Sequence, residues 1–472
     1  MSTTMDGLPV VVIGAGPVGL AAAAHLAERG IAFTVLEAGS TPAAAVRQWG
    51  HIRVFSPWRY NIDAAAARLL AEAGWVRPDD DKLPTGAQLA DDYLRPFADL
   101  PAVKSHVRYD ARVVAVTRLG LDRLRTAGRD TTPFLIRLAT GEDILARAVI
   151  DASGTWHTPN VLGASGIPAH GETAAAPFLE HALPDVLGAD RDRFAGKRVL
   201  VAGAGYSAAN TLLLLADLAG QAPGTHLTWA IRAAGPARTY GGGTADALPA
   251  RGALGTVLRD HVEAGHIELI TGFSVRTLTP RPGGDIAVSD GTRTVVTDRV
   301  VAATGFRPDH GITAELRLDL DPIMGSTRAL APLIDPNEHS CGTVPPHGAD
   351  ELAHPEPGYY AIGAKSYGRA PTFLLATGYE QARSVVAALA GDWTAARDVQ
   401  LDLPETGVCN SNPVVGDDAI AAEGGCCGGT AAAEPAGRGL ATGVAGGLIS
   451  APLTLISVST AADGEQSGGC CG

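Results

Sequence analysis

The sequence predicts an α/β protein with two Rossmann-like dinucleotide-binding domains, the second inserted into a split first domain, and a flexible Gly/Ala/Cys-rich C-terminal tail. Two glycine fingerprints, at 14–19 and 203–208, each follow an apolar strand-like run and open a helical stretch. Two apolar runs that end in small-residue turns, at 148–154 and 300–305, bracket the second fingerprint. This arrangement indicates an insertion. We expect the following segments: 1–160 and 305–402 for the split domain, 161–304 for the inserted domain, and 403–472 for the tail.

The first fingerprint has the context of a nucleotide-binding βαβ unit. Gly14, Gly16 and Gly19 lie between a predicted strand and an Ala-rich predicted helix, and the next predicted strand ends in Glu37. Glycines allow a tight turn and close approach to a pyrophosphate, the helix N-terminus supplies N–H groups, and the carboxylate accepts from a ribose hydroxyl. The alternative is a glycine turn without a ligand.

The second fingerprint repeats this context with one change. Gly203, Gly205 and Ser207 open the next predicted helix, and Ala208 replaces the third glycine. The strand after that helix ends in Arg232, where the first unit has an acid. An arginine can pair with a 2′-phosphate, which a carboxylate would repel, so we predict NADPH rather than NADH. A solvated surface charge is the alternative.

Composition limits the remaining classes of function. The 472 residues suffice for two or three cores, and the net charge of −13, without any basic run, argues against a nucleic-acid partner. The N-terminus shows no secretion signal, and the most apolar stretch, 444–458, is interrupted by glycine and proline. We therefore expect a cytoplasmic enzyme with a small-molecule substrate and no membrane partner. The oligomeric state stays open, with a homodimer as one alternative.

Taken together, these motifs resemble the two-dinucleotide-binding-domain flavoproteins. The predicted strand at 359–363 and the helix start at 377–381 complete the likeness. The resemblance implies an FAD domain split in sequence by the NAD(P)H domain, with Gly363 beside the FAD pyrophosphate or ribitol. It also implies a helix from about Gly378 whose N-terminus points at the flavin pyrimidine edge, where a positive dipole end stabilises anionic reduced flavin. Ordinary turn and helix-start glycines are the alternative.

The flavin-side dithiols of the well-known disulfide reductases are absent. Neither the segment 38–58, where the glutathione reductase type has Cys-x4-Cys, nor the inserted domain, where the thioredoxin reductase type has Cys-x-x-Cys, contains cysteine. The aromatic and cationic loop 49–61 resembles the isoalloxazine-side loop of flavin monooxygenases and of cysteine-free, thioredoxin-reductase-like flavoproteins. Within it, Arg53 and Arg59 are candidates to position an anionic flavin or substrate, with solvated charges as the alternative.

Four cysteines form vicinal pairs in the tail. Cys426 with Cys427, and Cys470 with Cys471, are flanked by glycines. A disulfide between adjacent cysteines is strained, whereas a soft ion such as trivalent arsenic accepts both thiolates. Zinc fits less well, because the tail has neither Cys-x2–4-Cys spacing nor histidine. We predict a metalloid site, with a ligand-free tail as the alternative.

One loop places a thiol close in sequence to an imidazole. Cys341 and His347 are separated by a Pro-Pro pair, and we predict that the imidazole lowers the thiol pKa for catalysis. A buried loop cysteine is the alternative. Lys365, Tyr367 and Arg369 are candidates for contacts with cofactor phosphates.

The segments 340–348, 365–374 and 403–409 resemble actinobacterial FAD-dependent oxidoreductases found with arsenic-resistance genes, which are flavin monooxygenase-like. The resemblance covers about residues 8–410 and implies FAD, NADPH and an arsenical or thiol-conjugate substrate. The stretch 180–184 departs from the Phe-x-Gly-x3-His signature of flavin monooxygenases.

Three functions therefore compete. The first is an FAD- and NADPH-dependent monooxygenase that oxygenates a soft nucleophile, such as a trivalent arsenical or a thiol, in arsenic resistance. The second is an NADPH-dependent disulfide or metal-thiolate reductase that uses the C-terminal cysteine pairs. The third is a metalloid-binding protein on a flavoprotein scaffold.

Overall fold

The computed structural model describes residue 5, residues 7–243, residue 246 and residues 248–336, 344–371 and 373–401. The predicted tail lies outside these residues. So do the predicted metal ligands Cys426, Cys427, Cys470 and Cys471, and the predicted catalytic Cys341.

Strands and helices alternate along much of the described chain. The strands are β1 (Val10–Ile13), β2 (Phe33–Leu36), β3 (Val107–Arg108), β4 (Val113–Arg118), β5 (Phe134–Leu138), β6 (Asp143–Ala146), β7 (Ala148–Asp151), β8 (Leu179–Glu180), β9 (Arg198–Ala202), β10 (His226–Ala230), β11 (Ile267–Ile270), β12 (Thr277–Pro280), β13 (Ile286–Ser289), β14 (Thr294–Thr297), β15 (Arg299–Ala302) and β16 (Tyr359–Ala361). The helices are α1 (Pro17–Glu28), α2 (Ala44–Arg47), α3 (Ala64–Glu72), α4 (Gly86–Gln88), α5 (Arg95–Ala98), α6 (Pro101–Lys104), α7 (Arg191–Phe194), α8 (Tyr206–Gln221), α9 (Ala237–Tyr240), α10 (Pro249–Glu263), α11 (Ala331–Ile334), α12 (Ala349–Leu352), α13 (Leu375–Leu389) and α14 (Trp393–Arg397). A π-helical turn at Leu89–Leu94 joins α4 to α5.

The first sheet is built from both ends of the described chain. Its order is β16-β7-β1-β2-β3, and all its pairs are parallel. Every residue of β1 and β7 is buried, as expected for apolar strands covered on both faces. Because β16 comes from residues 359–361 and pairs with β7, the C-terminal segment completes a sheet begun at the N-terminus.

The second sheet is formed entirely by residues between β7 and β16. Its order is β11-β10-β9-β15-β8, again with parallel pairs. α8 and α10 pack against one another beside this sheet. The predicted fold class is therefore confirmed. The predicted helix that follows the second fingerprint is α8, which runs from Tyr206 to Gln221.

Two antiparallel three-stranded sheets were not predicted. The sheet β4-β5-β6 covers one face of the first parallel sheet, and β12-β13-β14 covers one face of the second. In β5, whose sequence is Phe-Leu-Ile-Arg-Leu, every second residue is buried, as expected for an antiparallel strand with one face on the core.

The two chain crossings between the parallel sheets run side by side. Pro159 and Phe306 form an antiparallel bridge. The Arg307 amide donates to the Thr158 carbonyl oxygen at 3.0 Å, and the Asn160 amide donates to the Gly305 carbonyl oxygen at 2.9 Å. The inserted segment is thus joined to the rest by one hydrogen-bonded ribbon.

A cluster of aromatic rings packs beside this ribbon. The ring of Trp156 lies 4.2 Å from that of His181 and 5.3 Å from that of Phe306, measured between centroids. Trp156 Nε1 also donates to Gln48 Oε1 at 2.8 Å. The cluster therefore contacts both the first crossing and the second, and ties them to the N-terminal segment.

Candidate functional site

The three glycines of the first fingerprint have different structural roles. Gly14 has a φ of +101°, and a Cβ there would lie 2.7 Å from the Ala152 carbonyl oxygen. A Cβ on Gly19 would collide with the Gly14 carbonyl oxygen, whereas a Cβ on Gly16 would enter open space. The fold itself needs Gly14 and Gly19, and the surface at Gly16 is left accessible at the N-terminus of α1. A dinucleotide pyrophosphate uses these three positions in this way.

Glu37 connects the end of β2 to the glycine turn. Its Oε2 accepts from the Ala15 amide at 2.7 Å, and its Oε1 accepts from the Gly39 amide at 2.7 Å. A carboxylate has about four acceptor positions, so lone pairs stay available for ribose hydroxyls. The residues at this turn therefore fit an FAD ribose and pyrophosphate, and the predicted contacts stay predictions.

The second glycine turn has the same division of roles. Gly203 has a φ of +139°, and a Cβ there would collide with the Ala303 carbonyl oxygen. A Cβ on Gly205 would meet no other atom within 4 Å. Ala208 is fully buried at the third position, and Ser207 is half-buried in the first turn of α8. This turn also fits a dinucleotide pyrophosphate.

Arg232 follows β10 at the edge of the second turn. It is exposed, and its Nη1 makes one long hydrogen bond of 3.4 Å to the Ala164 carbonyl oxygen. Such a guanidinium can turn toward a 2′-phosphate at little energetic cost. A second exposed arginine, Arg238, lies on α9, which Thr239 Oγ1 ties to the Ala204 carbonyl oxygen of the fingerprint at 2.8 Å. Sequence reasoning missed Arg238 as a candidate for the 2′-phosphate. Its position six residues after Arg232 was the available signal.

The loop 49–61 contacts the inserted domain. The ring of Phe55 lies 5.3 Å from the ring of Tyr206, which follows the second glycine of fingerprint two. This contact brings the loop 49–61 to the nucleotide turn. Arg53 is exposed and donates to the Leu83 carbonyl oxygen at 2.5 Å, so its side chain joins two loops. Arg59 is ion-paired with Asp81. The predicted contacts of both arginines with a flavin or substrate stay predictions.

The helix near the predicted flavin edge begins earlier than expected. α13 starts at Leu375, so Gly378 lies within its first turn rather than at its start. A Cβ on Gly378 would lie 2.5 Å from Val18 Cγ2, so close packing of α13 on α1 requires a glycine there. Because α1 begins at the first fingerprint, this packing places two helix N-termini beside one another.

Gly363 and His347 belong to one buried hydrogen-bond network. Gly363 has a φ of +73°, and its amide donates to Gln381 Oε1 at 2.7 Å. Gln381 Nε2 donates to His347 Nε2 at 3.0 Å and to Ser366 Oγ at 2.9 Å. The other ring nitrogen of His347 donates to the Pro345 carbonyl oxygen at 3.0 Å. These partners define a neutral imidazole.

The environment of His347 favours a neutral imidazole, and the predicted activation of the Cys341 thiol stays a prediction. Burial lowers its pKa, which disfavours the imidazolium that would stabilise a thiolate. Both ring nitrogens already have protein partners, and Cys341 lies outside the described residues. The described contacts give His347 a structural role beside Gly363.

A buried ion pair joins the ends of β7 and β16. Lys365 Nζ donates to Asp151 Oδ2 at 2.6 Å, and Tyr359 donates to the same oxygen at 3.1 Å. Asp151 Oδ1 accepts from the Ser153 hydroxyl at 2.6 Å, next to the Ala152 carbonyl that contacts Gly14. The main partner of the Lys365 ammonium is therefore the Asp151 carboxylate and not a cofactor phosphate, which corrects the proposed contact. Sequence reasoning proposed Lys365 as a candidate but did not single out Asp151 as its partner.

Comparisons with known proteins agree with this geometry. Residues 11–337 match the pyridine nucleotide-disulphide oxidoreductase family, which is more than half of the chain. The chain belongs to this family. The predicted flavoprotein oxidoreductase class is thus confirmed, and FAD and NADP(H) are the cofactors that its two turns fit.

The curated relatives of this family member match over part of their length. It is 28% identical over 214 residues to indole-3-pyruvate monooxygenase YUCCA6 of Arabidopsis thaliana, covering 45% of this chain and 46% of that protein. It is 27% identical over 202 residues to ferredoxin–NADP reductase of Gluconobacter oxydans, covering 43% of this chain and 52% of that protein. The matches therefore span about half of each relative.

Solved structures share the fold over almost their whole length. Bacillithiol disulfide reductase from Bacillus cereus superposes with a TM-score of 0.60 at 18% identity, covering 81% of this chain and 99% of that one. A flavin-containing monooxygenase from Stenotrophomonas maltophilia superposes with a TM-score of 0.53 at 22% identity, covering 81% and 98%. At these identities the likeness is one of fold. In the described part of the chain, no helix combines the length and apolarity needed to cross a membrane.

Proposed function

We propose that this protein is an FAD- and NADPH-dependent monooxygenase-like enzyme that oxygenates a soft nucleophile, either a trivalent arsenical or a thiol. The observation that supports this proposal is the contact between Phe55 of the loop 49–61 and Tyr206 of the second glycine turn. The loop 49–61 that makes this contact contains no cysteine, and neither does the inserted domain. Neither of the two segments that carry the redox cysteines in the well-known disulfide reductases can therefore supply a thiol relay here.

Bound FAD would accept two electrons from NADPH and pass them to O2. The balanced reaction takes NADPH, H⁺, O2 and the nucleophile, and yields NADP⁺, water and the nucleophile with one added oxygen atom. The chain contributes positioning: Glu37 holds the glycine turn and a ribose, Gly16 and Gly205 admit the pyrophosphates, and Arg232 pairs with the 2′-phosphate. Its relatives include an indole-3-pyruvate monooxygenase, which supports oxygen chemistry.

The vicinal cysteines favour one second candidate, an NADPH-dependent disulfide or metal-thiolate reductase. In that reaction NADPH and H⁺ convert a disulfide into two thiols, and no O2 is consumed. The pairs at 426–427 and 470–471 would exchange with the substrate disulfide. The shared fold with a bacillithiol disulfide reductase is compatible with this chemistry.

Oxygen and NADPH consumption, measured together, distinguish the two. Purified FAD-loaded protein is mixed with NADPH, with and without arsenite or a low-molecular-weight thiol. The proposal expects O2 uptake equal to NADPH oxidation, stimulated by the nucleophile, with an oxygenated product and no peroxide release. Substrate-linked NADPH oxidation that persists without O2 contradicts it and supports the reductase.

Deleting residues 421–472 adds a second test. A monooxygenase keeps its NADPH-driven flavin reduction and its oxygen-linked turnover in the truncated chain, because both fingerprints lie upstream. A reductase that needs the cysteine pairs loses its turnover. Stoichiometric arsenite binding without turnover in the full chain would instead indicate a metalloid-binding protein.

A further inference from the structure

We propose that His261 and His266 form a bidentate site for a divalent transition-metal ion, remote from the cofactor turns. Their Nδ1 atoms lie 3.2 Å apart, and the ring centroids are separated by 5.4 Å. The pair is in contact with solvent, so an ion can reach it without unfolding. This site does not depend on the proposed function.

The C-terminal cap of α10 brings these two side chains together. The helix ends at Glu263, and Gly265 adopts the left-handed conformation with a φ of +75°. The Gly265 amide donates to the Val262 carbonyl oxygen at 3.1 Å, and the His266 amide donates to the His261 carbonyl oxygen at 3.0 Å. This pair of bonds is the Schellman pattern, which fixes the backbone on both sides of the turn. The two imidazoles therefore extend from backbone positions that the cap holds in place.

The separation of the nitrogens suits one shared metal ion. An imidazole nitrogen binds zinc-like ions at about 2.0–2.1 Å, so two cis ligands at 90–110° are about 2.9–3.4 Å apart. The observed 3.2 Å falls in this range. Without metal, one ring donates its Nδ1 proton to the other. Metal binding would require the Nε2–H tautomer of both rings, so that each Nδ1 offers a lone pair to the ion.

The surroundings indicate which ion binds. The C-terminal end of a helix carries partial negative charge, which favours a cation. Among the described residues, no group of three or more His, Cys, Asp or Glu side chains is arranged to hold a metal, so water completes the coordination sphere. Two imidazoles with water suit Cu²⁺ best, and Ni²⁺ and Zn²⁺ less strongly, whereas Mg²⁺ and Ca²⁺ prefer oxygen ligands.

Sheet topology separates this site from the nucleotide. His266 directly precedes β11, which is parallel to β9, and the second glycine turn follows the carboxyl end of β9. The histidines thus lie at the opposite edge of the sheet from the turn. Metal binding at this edge is expected to leave NADPH affinity unchanged.

Copper titration of the full-length FAD-loaded protein tests the site. Its thiols are first alkylated, so that the tail cysteines do not compete for the ion. We expect one Cu²⁺ per chain, with an electron paramagnetic resonance spectrum that shows coupling to two imidazole nitrogens. His261→Ala and His266→Ala should each lower the affinity about 100-fold, because a chelate becomes a single ligand.

His170→Ala is the matched control, since His170 is another exposed histidine of the inserted domain and lies outside α10 and β11. It should bind copper like the parent protein. Circular dichroism and the flavin spectrum report whether each variant is folded. The proposal is overturned if the double variant His261→Ala with His266→Ala binds copper as tightly as the parent protein. It is also overturned if the spectrum of the parent protein shows no coupling to two imidazole nitrogens.

Discussion

Lys365 and Asp151 form an ion pair that is at most 1% exposed at either side chain. The pair joins the residues after β16 to the end of β7, and so fastens the C-terminal part of the split sheet to the N-terminal part. Burial alone would raise the pKa of Asp151, but the neighbouring ammonium and the Ser153 hydroxyl hold it below its ordinary value. The aspartate is therefore ionised at neutral pH.

Replacing one member of this pair should destabilise the protein strongly. Lys365→Met leaves a buried carboxylate without its cation, and we expect a loss of about 3–5 kcal/mol in the free energy of unfolding. The double variant Lys365→Met with Asp151→Asn should recover part of that loss. Lys104→Met removes an exposed pair with Asp99 and should cost at most about 1 kcal/mol. Urea unfolding measures all three, and equal effects for Lys365 and Lys104 would contradict the prediction.

Stability should fall as the pH is lowered from about 6.5 toward 4. Burial lowers the pKa of His354 from 6.5 to about 4, while its Nδ1 accepts from the Asp319 amide at 3.2 Å. In that window the unfolded chain binds a proton that the folded chain does not, so folding becomes less favourable by up to about 3 kcal/mol. Below the folded pKa both states are protonated, and this contribution no longer changes.

The variant His354→Gln isolates this contribution. Thermal unfolding followed between pH 7 and pH 4 should show a shallower decline in Tm than the parent protein shows. His226→Gln, at an exposed position, should keep the parent slope. Parallel curves for the parent and His354→Gln would mean that this imidazole is not the source.

Alanine at the second glycine of each fingerprint should separate the two cofactors. A Cβ at Gly16 or Gly205 meets no protein atom, so the fold should stay intact. Gly16→Ala should weaken FAD on the order of tenfold, about 1.4 kcal/mol, because the methyl group occupies space needed by the pyrophosphate. Gly205→Ala should leave the flavin content normal and raise the KM for NADPH. Gly19→Ala, which collides with the Gly14 carbonyl, should instead impair folding.

Flavin content after gel filtration and NADPH-dependent flavin reduction are the two readouts. Loss of FAD in Gly205→Ala with retention in Gly16→Ala would reverse the assignment of the two turns.

Arg232 should decide between NADPH and NADH. Arg232→Ala should raise the KM for NADPH about tenfold more than that for NADH, since a charge-assisted contact contributes about 1.5–3 kcal/mol. Arg281→Ala, another exposed arginine of the inserted domain, should affect neither. Steady-state kinetics with both nucleotides gives the ratio, and equal changes for the two would remove Arg232 from the phosphate site.

The sequence was sufficient where one local pattern determines the structure. The glycine turns, the strand 33–36 that ends before Glu37, and the insertion all follow from strand, turn and helix signals close together in the chain. The sequence was insufficient where two residues that contact one another are far apart in the chain. Nothing local to Lys365 indicates that its ammonium meets Asp151, 214 positions earlier, instead of a phosphate. The packing of α13 against α1 at Gly378 is likewise a contact between distant parts of the chain.

The ribbon formed by residues 158–160 and 304–307 makes the inserted domain a module with adjacent ends. Because its entry and exit are hydrogen-bonded neighbours, the segment between them can be exchanged for a domain of different nucleotide preference without lengthening either connection. Such an exchange is expected to leave the first parallel sheet, and with it the first glycine turn, unchanged, because that sheet takes no strand from the inserted segment.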